Sequence, residues 1–114
     1  MATVDLNSED FVSTIKENDL VLVDFWADWC GPCKRFSPIY SKVSESHGDV
    51  VFGKVDTEAN QELSGSLGIM SIPTIMAFHK GNMVFNQAGL LNASQLENLI
   101  EQLKDLPAEE TPAS

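Results

Sequence analysis

The greatest concentration of apolar residues in the chain runs from Leu20 to Ala27 and is rich in β-branched and aromatic side chains. A strand buried on one face alternates apolar and polar residues, whereas this segment is apolar at nearly every position. It therefore predicts a central strand covered on both faces, as in a parallel sheet. The carboxyl group of Asp24 interrupts the run, and its burial would be costly without a partner.

Both cysteines of the chain follow this strand, in the segment Trp29-Cys30-Gly31-Pro32-Cys33. Pro32 suits the first turn of a helix. Apolar residues then recur at helical spacing, at Cys33, Phe36, Ile39, Tyr40 and Val43. Cys30 should therefore lie at a helix N-terminus, where unpaired N–H groups and the dipole stabilise a thiolate. Cys33, one turn on and deeper, suits the thiol that resolves a mixed disulfide.

A zinc site and a structural disulfide account less well for the spacing of the cysteines. Half of a zinc site would need two further ligands, and the remaining candidates, His47 and His79, are too widely separated to resemble a zinc finger. A purely structural disulfide would close so short a loop that it would restrain little chain entropy. A redox-active dithiol is the favoured interpretation.

Alternating strand and helix patterns occupy the rest of the chain. Their order, β-α-β-α-β-α-β-β-α, predicts an α/β protein with a mixed central sheet and helices on both faces. Asn7 or Ser8 is expected to cap the first helix, with Phe11, Val12 and Ile15 on its buried face. We expect one domain over residues 1–106 and a flexible tail over residues 107–114.

The chain is acidic, with a formal net charge of -10. Nucleic acids and anionic membranes require clustered lysine and arginine, so neither is an expected partner. The first residues lack the basic start and apolar stretch of a signal peptide, and no apolar run is long enough to span a membrane. We expect a cytoplasmic monomer.

Several separated motifs together resemble the thioredoxin family over about residues 3–105. The longest is the active-site signature from Trp26 to Lys34. The others are Val23-Asp24-Phe25, Pro38, Lys54-Val55-Asp56, Ile72-Pro73-Thr74, Gly81 and Gly89. The resemblance implies the thioredoxin fold and a protein disulfide reductase. It makes Cys30 the nucleophile and Cys33 the resolving thiol, joined reversibly in a Cys30–Cys33 disulfide.

The resemblance also assigns roles to two charged residues on predicted strands. It makes Asp24 the buried carboxyl that assists proton transfer at Cys33, and burial should raise the pKa of that carboxyl. It makes Lys54 the lysine that pairs with Asp24. Taken without the resemblance, the two residues would equally suit a plain structural ion pair.

The implied substrate-binding residues surround the dithiol. The resemblance places Trp29, Gly31, Pro32, Ile72, Pro73 and Gly89 in contact with client proteins, with a cis peptide bond before Pro73. The backbone of Ile72 would pair with an extended client segment. Met70 stands where many relatives carry a basic residue, a difference that bears on partner choice.

The resemblance further implies protein partners and no bound cofactor. An NADPH-dependent flavoprotein, thioredoxin reductase, would reduce the disulfide, because the chain has no G-x-G-x-x-G fingerprint of its own. Disulfide-containing proteins would be the substrates, and no metal is expected. Two alternatives stay open: an oxidase or isomerase of the same fold, and a redox-regulated binding subunit without catalysis. The Gly31-Pro32 pair between the cysteines resembles the pair in the disulfide-reducing members of the family.

Overall fold

The structure is a computed structural model and describes residues 3–106. Within that range the chain forms five strands and four helices. In chain order they are β1 (Thr3–Asp5), α1 (Phe11–Glu17), β2 (Leu20–Trp26), α2 (Gly31–Ser44), β3 (Val51–Asp56), α3 (Gln61–Ser66), β4 (Thr74–His79), β5 (Asn82–Ala88) and α4 (Ala93–Lys104).

The five strands form one mixed sheet in the order β1-β3-β2-β4-β5. β1 and β2 both pair parallel with β3, whereas β4 pairs antiparallel with β2 and β5 antiparallel with β4. The apolar run found in the sequence is the central strand β2. The predicted element order, mixed sheet and α/β class are confirmed.

Alternate residues of β2 enter two separate cores, which explains why the strand is apolar at nearly every position. Leu20 and Leu22 pack with α2 and α4 on one face of the sheet. Val21, Val23 and Phe25 pack with α1 and with apolar residues around α3 on the other. Asp24 is two residues from Leu22, so it points to the face covered by α2.

The first helix starts later than the sequence predicts. Its N-cap residue is Asp10, and the expectation of Asn7 or Ser8 in that position is wrong. The side chain of Asn7 instead accepts hydrogen bonds from the backbone N–H groups of Glu9 and Asp10, so it stabilises the preceding turn. Val12 is 56% exposed and does not join the buried face.

The buried side chain of Leu6 packs directly over Gly53 and makes this glycine sensitive to substitution. A Cβ atom there would lie 2.5 Å from Leu6 Cδ1 and 3.1 Å from Leu6 Cγ. We expect Gly53→Ala to lower the free energy of unfolding by about 1–3 kcal/mol, because Leu6 must leave its packed position. Urea unfolding measures the loss.

The matched control for this substitution is Gly65→Ala in α3, where a Cβ would meet nothing within 4 Å. It should raise stability by about 0.5–1 kcal/mol, since alanine restricts the unfolded chain and suits a helix. If Gly53→Ala is as stable as the parent protein, the packing argument fails.

The predicted tail, residues 107–114, lies outside the described residues, and the domain limit at residue 106 stays a prediction. Between residues 3 and 106, no helix combines the length and the apolar character that crossing a membrane demands.

Candidate active site

The dithiol lies where the central strand leads into α2. β2 ends at Trp26, and Cys30 is the N-cap residue of the helix that begins at Gly31. Cys30 and Cys33 are joined in a disulfide, with their Cα atoms 5.2 Å apart. Pro32 occupies the first turn, as the sequence predicts.

The helix N-terminus points a hydrogen-bond donor at the first sulfur. The backbone N–H of Cys33 donates to Cys30 Sγ at 3.2 Å. Unpaired N–H groups and the positive end of the helix dipole favour negative charge at this position. When the disulfide is reduced, the same arrangement stabilises a Cys30 thiolate.

Exposure does not distinguish the two cysteines, contrary to the expectation that Cys33 lies deeper. Each is 3% exposed. They differ in their neighbours. Cys30 Sγ lies 3.7 Å from the carbonyl oxygen of Ile72, whereas Cys33 lines a cavity of about 270 Å³ that also contains Asp24. Cys30 therefore faces the loop before β4, and Cys33 faces the buried acid.

Asp24 is a fully buried carboxyl group. Its side chain is 0% exposed, and neither carboxyl oxygen has a hydrogen-bond partner within the described part of the chain. Burial raises the pKa of Asp24 from its ordinary 3.8 to about 7, because the charged form loses its hydration; the positive charge of Lys54 acts in the opposite direction. The carboxyl can thus gain or lose a proton near neutral pH.

Lys54 lies beside Asp24 without a direct hydrogen bond to it. The two residues are register partners on β2 and β3. The Lys54 ammonium group donates to Ser37 Oγ at 3.0 Å and lies 5.4 Å from the centre of the Trp26 ring. No direct hydrogen bond joins the two side chains, so the pairing that the resemblance implies operates here through charge and not through contact. Lys54 acts on Asp24 through its charge across the cavity that both residues line.

Removing this charge should change the titration of the buried acid. In a Lys54→Met variant we expect the pKa of Asp24 to rise above its value of about 7, because the charge that lowers it is lost. NMR titration of the labelled Asp24 carboxyl carbon measures the shift.

Lys34→Met is the matched control. Lys34 lines the same cavity, but its charge does not shift the pKa of Asp24. That variant should titrate like the parent. An unchanged or lower pKa in Lys54→Met would contradict the assigned role of the lysine charge.

The loop before β4 faces the dithiol through a cis proline. The Ile72–Pro73 peptide bond is cis, as the resemblance implies, and Pro73 is buried. The carbonyl oxygen of Pro73 accepts a hydrogen bond from the Gly89 N–H at 2.8 Å, and Gly89 has a φ of +115° that favours glycine. Gly89 thus ties the end of β5 to this loop.

The remaining predicted contact residues are on the surface beside Cys30. Trp29 is 70% exposed, and its Nε1–H donates to Glu58 Oε2 at 3.1 Å. Gly31 and Pro32 are exposed at the start of α2. The structure therefore brings the ten predicted site residues into one region. They are Asp24, Trp29, Cys30, Gly31, Pro32, Cys33, Lys54, Ile72, Pro73 and Gly89.

Sequence reasoning missed two residues that organise this region. Ser37 holds the Lys54 ammonium group, and Glu58 orients Trp29. The position of Ser37 could have been inferred, because it follows Cys33 by four residues and therefore lies on the same helix face. Glu58 gave no such signal, since 28 intervening residues of chain separate it from Trp29. Among residues 3–106 there is no group of three or more histidine, cysteine or acidic residues that could hold a metal ion.

Comparisons with known proteins agree with this geometry. The family model for thioredoxin matches residues 2–102. The protein named thioredoxin 2 in Streptomyces coelicolor is 49% identical over 109 residues, which cover 96% of this chain and 81% of that protein. The thioredoxin of Haemophilus influenzae is 38% identical, over 85% of this chain and 92% of its own.

Solved structures give the same result for the fold. A variant thioredoxin from Halobacterium salinarum superposes with a TM-score of 0.83 at 32% identity, covering 92% of both chains. The thioredoxin of Plasmodium falciparum superposes with a TM-score of 0.80 at 39% identity, covering 88% of this chain and 97% of that one. With its dithiol at a helix N-terminus and its thioredoxin fold, the chain belongs to the thioredoxin family of thiol–disulfide oxidoreductases.

Proposed function

We propose that Cys30 and Cys33 divide the work of protein disulfide reduction, with Cys30 attacking the client and Cys33 releasing it. The observation that carries the assignment is the hydrogen bond from the Cys33 N–H to Cys30 Sγ, which is made at the helix N-terminus. Such a donor stabilises a thiolate, and the thiolate is the attacking species in thiol–disulfide exchange. Cys33 Sγ has no comparable donor among the described residues.

The reaction then balances in two exchanges. The Cys30 thiolate attacks one sulfur of a client disulfide, forms a mixed disulfide and displaces the other client sulfur as a thiolate. Cys33, once deprotonated, attacks Cys30 Sγ and displaces the second client sulfur. The client gains two electrons and, at its sulfurs, two protons. The protein is left with the Cys30–Cys33 disulfide, the form seen in the structure.

Asp24 is the proposed base for the second exchange. Its pKa of about 7 lies close to neutral pH, where a general base is most effective. It shares a cavity of about 270 Å³ with Cys33, and a space of that size can hold the water needed to pass a proton. Lys54 lines the same cavity, and its charge partly offsets the rise in the pKa of Asp24 that burial causes.

Client proteins are proposed to lie across the loops around Cys30. Trp29, Gly31 and Pro32 are exposed on one side, and the Ile72–Pro73 loop with Gly89 lies on the other. The contact between Cys30 Sγ and the Ile72 carbonyl brings the attacking atom beside the backbone of this loop. An extended client segment paired with Ile72 would therefore present its disulfide to Cys30.

The proposed electron source is thioredoxin reductase, an NADPH-dependent flavoprotein. Thioredoxins carry no cofactor of their own, and this chain has no dinucleotide fingerprint, so electrons must come from another protein. We further propose that the protein works as a monomer in the cytoplasm, without nucleic-acid or membrane partners. A reducing compartment suits a dithiol that must be regenerated in its thiol form.

Equilibration with glutathione tests the direction of the reaction. We expect the dithiol to be a stronger reductant than glutathione, as Gly31-Pro32 between the cysteines indicates, and to pass electrons from NADPH and thioredoxin reductase to insulin disulfides. Mass spectrometry after acid quenching measures the thiol and disulfide fractions in each buffer. If the Cys30–Cys33 dithiol/disulfide couple is more oxidising than glutathione, the protein is instead an oxidase or isomerase.

A further inference from the structure

Three large apolar side chains are exposed around the dithiol. Trp29 is 70% exposed, Met70 94% and Leu90 41%. Each belongs to a loop that contacts the site: Trp29 precedes Cys30, Met70 is in the loop that leads to Ile72, and Leu90 follows Gly89. Exposed apolar side chains clustered around a reactive group mark a surface that another protein covers.

Met70 and Trp29 both line one groove. The groove has a volume of about 360 Å³, and Ile69 and Ile72 also line it. The carbonyl oxygen of Ile72, one of the lining residues, lies 3.7 Å from Cys30 Sγ, so one wall of the groove stands beside the attacking sulfur. A client segment positioned for attack by Cys30 would therefore pack against the Met70 side chain.

Met70 is also the methionine most open to chemical oxidation in the described part of the chain. Met76 is only 1% exposed in the core, and Met83 on β5 is 47% exposed. Methionine oxidation follows exposure, and it converts a flexible apolar side chain into a polar one. The side chain with the greatest access to oxidants is thus one that lines the groove beside the dithiol.

We propose that Met70 is an oxidation site and that its sulfoxide weakens the binding of client proteins. The co-reactant is a hydroperoxide. The thioether sulfur attacks the peroxide, the O–O bond breaks, one oxygen becomes the sulfoxide oxygen and the other leaves as water or an alcohol. The sulfur is oxidised by two electrons and the peroxide is reduced by two. This inference rests on the proposed function, in which the protein reduces client disulfides and the groove binds the client.

The two oxidisable centres of the protein can be separated by chemistry. In the disulfide form, Cys30 and Cys33 have no thiolate to react, so hydrogen peroxide acts on exposed methionine. Dithiothreitol then restores the dithiol but leaves the sulfoxide, which needs a dedicated reductase. Mass spectrometry of peptides locates the added oxygen. Reduction rates are then measured with insulin and with the small aromatic disulfide dithiobis(nitrobenzoate).

Of the three methionines in residues 3–106, Met70 should gain oxygen first on peroxide treatment, and kcat/KM for insulin should then fall by about tenfold, the effect of losing one apolar contact. The rate with the small disulfide should stay unchanged, because that substrate does not fill the groove. In Met70→Leu, treatment should change neither rate relative to the untreated variant. Met83→Leu, the matched control, should keep the sensitivity of the parent.

Three results would overturn the inference. The first is preferential oxidation of Met83 or Met76. The second is an unchanged insulin rate after Met70 has been converted. The third is an equal loss in Met70→Leu and in the parent. An untreated parent that cannot reduce insulin would overturn the proposed function and, with it, this inference.

Discussion

Replacing Cys30 by serine is expected to abolish protein disulfide reduction. A hydroxyl group in place of the sulfur cannot form the mixed disulfide, so insulin reduction should fall by on the order of a thousandfold or more. The fold should survive, because serine is close in size and can accept the same hydrogen bond from the Cys33 N–H. Insulin turbidity with dithiothreitol as the reductant measures the activity.

Cys33→Ser is the matched variant, because it keeps the attacking sulfur and removes the resolving one. It should also fail to turn over, but it should accumulate mixed disulfides between Cys30 and client proteins. Non-reducing electrophoresis and mass spectrometry identify the trapped species. If Cys30→Ser traps clients and Cys33→Ser does not, the two roles are reversed. A Cys30→Ser variant as active as the parent would remove the basis of the assignment.

Replacing Asp24 by asparagine should make the folded protein more stable at neutral and alkaline pH. The pKa of Asp24 is about 7 in the folded chain and 3.8 for an ordinary aspartate. Between these values the folded state keeps a proton that the unfolded state has lost, so the stability of the parent falls as the pH rises through this window. Asparagine carries no such proton and is free of this loss.

The stability difference between Asp24→Asn and the parent should therefore grow from about pH 4 to about pH 7 and then stay constant. Its total change is at most roughly 4 kcal/mol, the free energy equivalent of the raised pKa. Urea unfolding of the disulfide form at a series of pH values measures it. Asp28→Asn is the control, since Asp28 lines the same cavity but is exposed. A difference that does not vary with pH would disprove the raised pKa.

The same substitution should slow catalysis while it stabilises the fold. Without a base beside Cys33, the rate of insulin reduction should fall by about ten- to a hundredfold. This loss is at or below the lower end of the rate enhancement that general base catalysis usually supplies. The pH profile should also lose its inflection near 7. Opposite effects on stability and rate are typical of a functional group that is costly to bury. A purely structural acid would lower stability when replaced and leave the pH profile unchanged.

Much of the fold could be predicted because the sequence patterns are local. The apolar run of β2 is visible because both faces of the strand are buried, and Cys30 is recognisable as a helix start from Pro32 and the spacing that follows. The predicted N-cap of the first helix was also wrong for a local reason. Asn7 does bind backbone N–H groups, but it caps a turn, and the helix begins only after Asp10. Adjacent residues compete for the same role, and sequence alone does not rank them.

The site could be predicted in its members but not in its contacts. A lysine one strand away from a buried acid suggests a direct ion pair, yet the hydroxyl of Ser37 binds the Lys54 ammonium group instead. That outcome depends on how α2 lies over β2 and β3, which no local pattern specifies. The equal burial of the two cysteines also depends on contacts between distant segments, since the carbonyl oxygen of Ile72 lies 3.7 Å from Cys30 Sγ.

The sequence by itself determined the strand and helix order, the central position of β2 and the two sulfurs at a helix N-terminus, since each depends on residues close together in the chain. Only the tertiary structure decided the surroundings that make these groups reactive. It left Asp24 without a hydrogen-bond partner among residues 3–106, brought Ile72 to Cys30 and exposed Met70 in the groove. Desolvation and long-range charge act through space, so they become visible only when distant segments of the chain are packed together.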